Sequence, residues 1–190
     1  LKLEITGQNG FIGSHLYNYL GLKPDIERIP CPVDIFSTED SLRNFVRQCD
    51  VIVHLAGINR HNDPQKLYQG NVTLVKKLIK AMEAENVRPH VIFSSSTQEE
   101  QDNSYGAAKR ECRKLFDEWA KRNKADFTGL IIPNVFGPFG KPNYNSVVAT
   151  FCYKLTHDQI PEIHEDKKIN LIYVNDLCRE ILSIVRGEKK

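Results

Sequence analysis

The chain has 190 residues, with 26 Lys and Arg against 24 Asp and Glu and a net charge of +2. That length suffices for one well-buried domain with a small appendage, and the charge balance argues against a nucleic-acid surface. The apolar runs are strand-length, so no membrane span is expected. Five scattered cysteines without a CxxC, and six histidines without HxH or HExxH spacing, fit free thiols in a reducing cytoplasm and no metal centre.

Residues 2–6, KLEIT, predict a first strand. Gly7, Gly10 and Gly13 follow it and lead into an amphipathic helix carrying Phe11, Ile12, Leu16 and Leu20. Strand, glycine turn and helix make the opening unit of a doubly wound sheet. Such glycines let a dinucleotide approach the backbone, and the helix start offers free N–H groups to a pyrophosphate. The spacing is GxxGxxG rather than GxGxxG, and glycine turns of this kind also serve packing alone. A short strand near residues 26–29 should end where an adenosine ribose would lie. An acid there suits the 2′-hydroxyl of NAD, and a base the 2′-phosphate of NADP. Glu27 and Arg28 stand side by side, so the two readings compete, with NADP favoured through Arg28. A helix capped by Ser37 or Thr38 follows, with Leu42, Phe45 and Val46 on one face. Asp34, just before it, is either a contact for the adenine amino group or a turn residue.

Residues 50–57, DVIVHLAG, predict a buried parallel strand, with Leu55, Ala56 and Gly57 at its end beside the cofactor. His54 reads as a core histidine rather than a catalyst. Asn59, Arg60 and His61 form a loop at the edge where open α/β sheets bind ligands. Asp63 and Pro64 start a helix running to about Glu85. Within it, Asn71 either faces solvent or braces the helix that carries Tyr105.

A fourth strand at residues 89–93 leads into Ser94, Ser95 and Ser96. The next helix, from about Tyr105 to Lys121, should bury Ala108, Cys112, Leu115, Phe116 and Trp119. Residues four apart on a helix share a face, so Tyr105 and Lys109 can address one centre, with the serines opposite. An ammonium one turn from a phenol favours loss of its proton below the ordinary pKa of about 10. Hydroxyl, phenol and ammonium together can pass a proton to a carbonyl oxygen while hydride reaches its carbon. YxxxK alone is a weak signal, and its weight comes from what precedes it. A fifth strand at residues 127–132, a polar loop at 140–146 before a helix, a strand at 169–174 and a helix from Asn175 complete the chain, with the terminal GEKK a solvated tail. The alternation predicts an α/β fold with a Rossmann-type doubly wound parallel sheet.

TGQNGFIGSHL, DVIVHLAG, SSS followed by YxxxK, PNVFGP and LIYVNDL occur in that order. The set resembles the extended short-chain dehydrogenase/reductases of the NAD-dependent epimerase/dehydratase family, which act on nucleotide sugars. HLAGINR, SSSTQEEQDNSYG and KPNYNSVVATFCYK resemble, more narrowly, its capsular-polysaccharide reductases. These use NADPH to reduce the 4-keto group of a UDP-linked 2-acetamido-6-deoxy sugar to a talose-configured product. The resemblance implies that Tyr105 is the general acid, that Lys109 tunes it and holds the nicotinamide ribose, and that Ser96 hydrogen-bonds the keto oxygen. It further implies a pyrophosphate cradle of Gly7, Gly10, Phe11, Ile12 and Gly13 beside Ala56 and Gly57. Pro133 and Asn134 fall at the nicotinamide end, while Asn134, Asn143, Tyr144 and Asn145 fall toward the sugar. Arg60 and Lys141 are placed near the UDP phosphates. A cytoplasmic homodimer is implied, as is an incomplete substrate lobe at the end of this 190-residue reductase domain, since relatives continue into a C-terminal cupin domain. Dehydratases of the family follow the hydroxyl residue with an Asp-Glu pair. Here Thr97 and Gln98 follow Ser96, and Glu99 is out of register. An NAD-dependent epimerase, and a non-catalytic cofactor-binding regulator, remain as alternatives.

Overall fold

The computed structural model describes residues 1–163, 166 and 168–188. Its elements run β1 (Lys2–Thr6), α1 (Phe11–Leu20), β2 (Glu27–Ile29), α2 (Glu39–Val46), β3 (Val51–His54), α3 (Pro64–Ala84), β4 (His90–Ser96), a 3-10 turn (Thr97–Glu100), α4 (Ser104–Asn123), β5 (Phe127–Ile132), β6 (Asn134–Phe136), α5 (Val147–Thr156), β7 (Leu171–Tyr173) and α6 (Val174–Val185). The chain divides into two compact units, Leu1–Ile131 and a second that begins at Ile132. The last two residues of the GEKK tail lie outside the described residues.

The first unit holds the sheet, ordered β2-β1-β3-β4-β5, with parallel pairing of β1 to β2, β1 to β3 and β3 to β4. Successive strands are joined through helices, and that crossover is what parallel pairing requires. Helix starts are set by side-chain caps. Thr38 accepts from Ser41 N, Asp63 from Gln65 and Lys66 N with Pro64 next, and Asn103 from Gly106 N. Behind the sheet, Phe45, Ile52, Leu78, Met82, Phe93, Phe116 and Trp119 form one buried cluster.

Several boundaries differ from those read in the sequence. β3 ends at His54, because Leu55, Ala56 and Gly57 leave the ladder to form the loop above it. β4 continues through the three serines, and β7 spans only Leu171–Tyr173. Leu115 is half-buried rather than buried. In the second unit, β6 and β7 pair in parallel as a two-stranded sheet.

Glu4 is the odd residue of the sheet. It is fully buried on β1, and neither carboxylate oxygen has a hydrogen-bond partner. The Cys49 thiol lies near enough to favour the charged form slightly, but it donates to Phe45 O. Burial dominates and pushes the Glu4 pKa from 4.5 to about 8. The folded chain therefore keeps a proton that the unfolded chain loses, so stability falls as pH rises from 4.5 toward 8. Glu4→Gln should remove that decline, on the order of 3 kcal/mol between pH 5 and 8. Denaturant unfolding of both proteins across this range checks it; parallel pH profiles would contradict it.

Candidate active site

The glycine turn is shaped by close backbone approach. Gly7 has φ +76°, and a Cβ there would lie 2.8 Å from Ala56 N. A Cβ on Gly13 would lie 2.2 Å from Gly7 O, and Gly10 N donates to Gly7 O at 3.0 Å. α1 begins at Phe11 with no side-chain cap on Gly10. The first N–H groups, at Phe11, Ile12 and Gly13, are not capped by Gly10, and the glycine turn fits a dinucleotide pyrophosphate. Thr6 Oγ1 accepts from Ala56 N at 3.3 Å and shares a 2.7 Å hydrogen bond with His54 Nδ1. His54 is buried between Phe93, Phe116 and Phe36, and burial, helped by the Lys109 charge, drives its pKa down to about 3. It is a neutral core histidine.

At the end of β2 the Gln8 side chain accepts from Cys31 N at 3.2 Å, which seats the glycine turn against that strand end. Glu27 pairs with Lys2, at the other end of the strand. Arg28 pairs with Leu3, donates to Tyr17 O at 2.8 Å and stacks on the Tyr17 ring at 4.2 Å. Its guanidinium is thus committed to α1. Asp34 is exposed, and its carbonyl accepts from Ser37 N at 2.7 Å within a turn.

α4 brings Tyr105 and Lys109 onto one face. Lys109 is buried, donates to Ser94 O at 2.8 Å and lies 5.5 Å from the centre of the Tyr105 ring. Burial lowers its pKa to about 8. A Cβ on Gly57 would sit 3.8 Å from Lys109 Nζ and 2.7 Å from Asn71 Oδ1, so the end of β3, α3 and α4 converge here. Asn71 is buried and so does not face solvent. Its amide accepts from Ile58 N and donates to Ile58 O and Leu67 O, fixing the loop after β3. That loop delivers Asn59, whose Oδ1 accepts from the Tyr105 hydroxyl at 3.4 Å. The sequence places Asn59 in the ligand-edge loop without a role; its contact with the Tyr105 hydroxyl comes from the fold. Ser96, at the end of β4, accepts from Gln98 N at 3.2 Å, so a lone pair is engaged while its hydroxyl hydrogen can point outward. Arg60 is exposed on the same loop as Asn59.

The remaining residues read from the sequence belong to the second unit. Asn134 donates from Nδ2 to Asn145 O at 3.4 Å, while its buried Oδ1 has no partner. Asn143 adopts φ +54° and donates from N to Thr150 Oγ1. Lys141 Nζ lies 5.2 Å from the Tyr144 ring centre, and Pro133 is half-buried beside Asn134. Among the described residues, no His, Cys, Asp and Glu group could hold a metal, and no helix is long and apolar enough to cross a membrane.

The glycine turn, the strand-end serine and the Tyr–Lys pair lie on a Rossmann-type parallel sheet, and residues 3–190 match the model of the NAD dependent epimerase/dehydratase family, to which the chain belongs. It is 33% identical to the UDP-2-acetamido-2,6-beta-L-arabino-hexul-4-ose reductase of Pseudomonas aeruginosa, over 99% of this chain and 50% of that protein. Among solved structures, the capsular polysaccharide assembling protein CapF of Staphylococcus aureus matches with a TM-score of 0.82 and 29% identity, over 100% of this chain and 50% of that one. RMD of Pseudomonas aeruginosa complexed with NADPH shares the fold, with a TM-score of 0.85 at 21% identity over 98% of this chain and 74% of that one. The chain spans about half the length of the first two.

Proposed function

We propose that this protein is an NADPH-dependent reductase of the 4-keto group of a UDP-linked 2-acetamido-6-deoxy sugar, supplying a precursor of capsule or surface polysaccharide. The observation that carries the reading is Lys109, buried, fixed on Ser94 O and one helical turn from Tyr105 at the end of β4. The substrate class is supported by the similarity to the Pseudomonas reductase.

A bound nicotinamide supplies the hydride. The chain's own residues handle the proton and the charge. Tyr105 donates its proton to the oxygen that becomes the C4 hydroxyl, Ser96 holds that oxygen by a hydrogen bond, and the Lys109 ammonium stabilises the phenolate left behind. Asn59 orients the phenol. Gly7, Gly10, Phe11, Ile12 and Gly13 hold the pyrophosphate, Leu55, Ala56 and Gly57 border it, and Lys109 also holds the nicotinamide ribose. Asp34 is assigned to the adenine end. NADP is favoured because β2 ends at Ile29 and is followed by Pro30 and Cys31, with no carboxylate there to meet a 2′-hydroxyl. Arg28 must leave Tyr17 to reach a 2′-phosphate. Pro133 shapes the nicotinamide end, and Asn134, Asn143, Tyr144 and Asn145, with Arg60 and Lys141, contact the nucleotide sugar. The segment from Ile132 is read as the start of the sugar-binding lobe of a cytoplasmic homodimer.

The test is NADPH oxidation by the purified protein with a UDP-linked 4-keto-6-deoxy-N-acetylhexosamine, with NADH in parallel. Substrate-dependent oxidation, faster with NADPH, is expected. Cofactor binding without turnover, or NAD that copurifies with the protein, would move the assignment to a regulator or an epimerase respectively.

A further inference from the structure

α4 carries two adjacent stripes. One holds Tyr105, Lys109 and Cys112, and the other, shifted by one residue, holds Gly106, Arg110 and Arg113. Residues four and three apart on a helix line one face, so each stripe faces one neighbour along its length. The first faces the site and core. The second grips the 3-10 turn that directly follows Ser96.

The grip has three points. A Cβ on Gly106 would lie 2.0 Å from Gln98 O, so the turn's backbone rests directly on the helix. Arg110 Nη1 donates to Glu99 O, and at 3.4 Å to Gln101 O. Arg113 forks onto the Glu99 carboxylate, with Nε 2.9 and 3.1 Å from Oε1 and Oε2, and Nη2 2.7 Å from Oε2. Glu99 is buried, and its Oε1 also accepts from Ser95 Oγ, between the carbonyl that anchors Lys109 and the Ser96 hydroxyl. Burial works against the Glu99 charge, but the bonds from Arg113 and Ser95 outweigh it and hold the carboxyl below its ordinary range.

We propose that Glu99 and Arg113, helped by Arg110, are positioning residues that lock the end of β4 onto α4 and so set Ser94 O and Ser96 against Lys109 and Tyr105. Glu99 is buried while Arg113 is 45% exposed, so solvent screening and desolvation leave the pair a modest source of net stability, whereas its fixed geometry specifies register. Two planar groups in a fork resist sliding in a way that an apolar contact does not. Here the register concerned is that between two elements carrying opposite sides of one site.

The proposal rests on the reductase reading for its kinetic test and is independent of it for its spectroscopic one. Glu99→Gln, Arg113→Leu and the double variant should each lower kcat by about tenfold to a hundredfold, as small misplacements do. KM for the keto sugar and the NADPH Kd should stay within about twofold, and the double variant should be no worse than the singles. Arg113→Lys, which keeps the charge without the fork, should recover part of the loss. Thermal melting sets the temperature at which all forms are folded. A wild-type kcat in folded variants would overturn the proposal. If the wild type does not turn over this substrate at all, the reductase reading fails and the positioning claim is decided by NMR titration of 15Nζ-labelled Lys109. Because the Glu99 charge itself acts on Lys109, the comparison is made in Arg113→Lys, which keeps the charge and loses the fork; a midpoint moved by about half a unit or more there supports it. An unmoved midpoint overturns it.

Discussion

Tyr105→Phe is expected to lower kcat by about 10²- to 10⁴-fold, the usual contribution of a positioned general acid, with the NADPH Kd within about twofold of wild type. The substitution removes one oxygen and leaves the ring beside Lys109. Lys109 Nζ lies 4.9 Å from the Phe93 ring centre and 5.5 Å from that of Tyr105, so the packing around the ammonium survives. Its bond to Ser94 O does not involve the phenol. What is lost is the proton donor, and with it the bond to Asn59. Lys109→Ala provides the contrast, since it should weaken both cofactor binding and turnover. Steady-state rates and cofactor fluorescence titrations on both variants check the pair. Turnover by Tyr105→Phe at the wild-type rate would remove the proton-transfer role.

Gly13→Ala is expected to weaken NADPH binding by more than about tenfold, or 1.4 kcal/mol, and to destabilise the fold by about 1–3 kcal/mol. The added Cβ would stand 2.2 Å from Gly7 O, 2.7 Å from Gln8 Cα and 2.9 Å from Gln8 C. All three are backbone atoms, so no side chain can swing aside. The turn itself must move, and it is held by Gly10 N to Gly7 O and by Gln8 to Cys31 N. Isothermal titration and denaturant unfolding measure the two losses. Undiminished binding by Gly13→Ala would mean that the turn does not hold the pyrophosphate.

The sheet was legible because its signals are local. A β-branched run, a glycine turn and helical spacing of Leu16 and Leu20 are readable within one unit, and β1 and α1 lie where that pattern puts them. Tyr105 and Lys109 were legible for the same reason, as a four-residue spacing on one helix. Contacts between distant segments were not. Nothing around Arg28 announces that Tyr17 O and its ring will take the guanidinium, since that depends on how α1 packs beside β2. The partnership of Glu99 with Arg113 spans fourteen residues and depends on a 3-10 turn that no periodicity marks. The full burial of Glu4 goes with its place on β1, an interior strand flanked by β2 and β3. α5 shows the converse: Val147, Val148, Ala149 and Phe151 form the expected helix, yet none of its residues is buried.

The deciding experiment is transfer of deuterium to the sugar from NADPH carrying deuterium at both nicotinamide C4 positions, followed by mass spectrometry and NMR of the product. One deuterium at sugar C4 per NADPH consumed is expected, with transfer lost in Tyr105→Phe. A changed sugar without deuterium, or without net loss of NADPH, would contradict it.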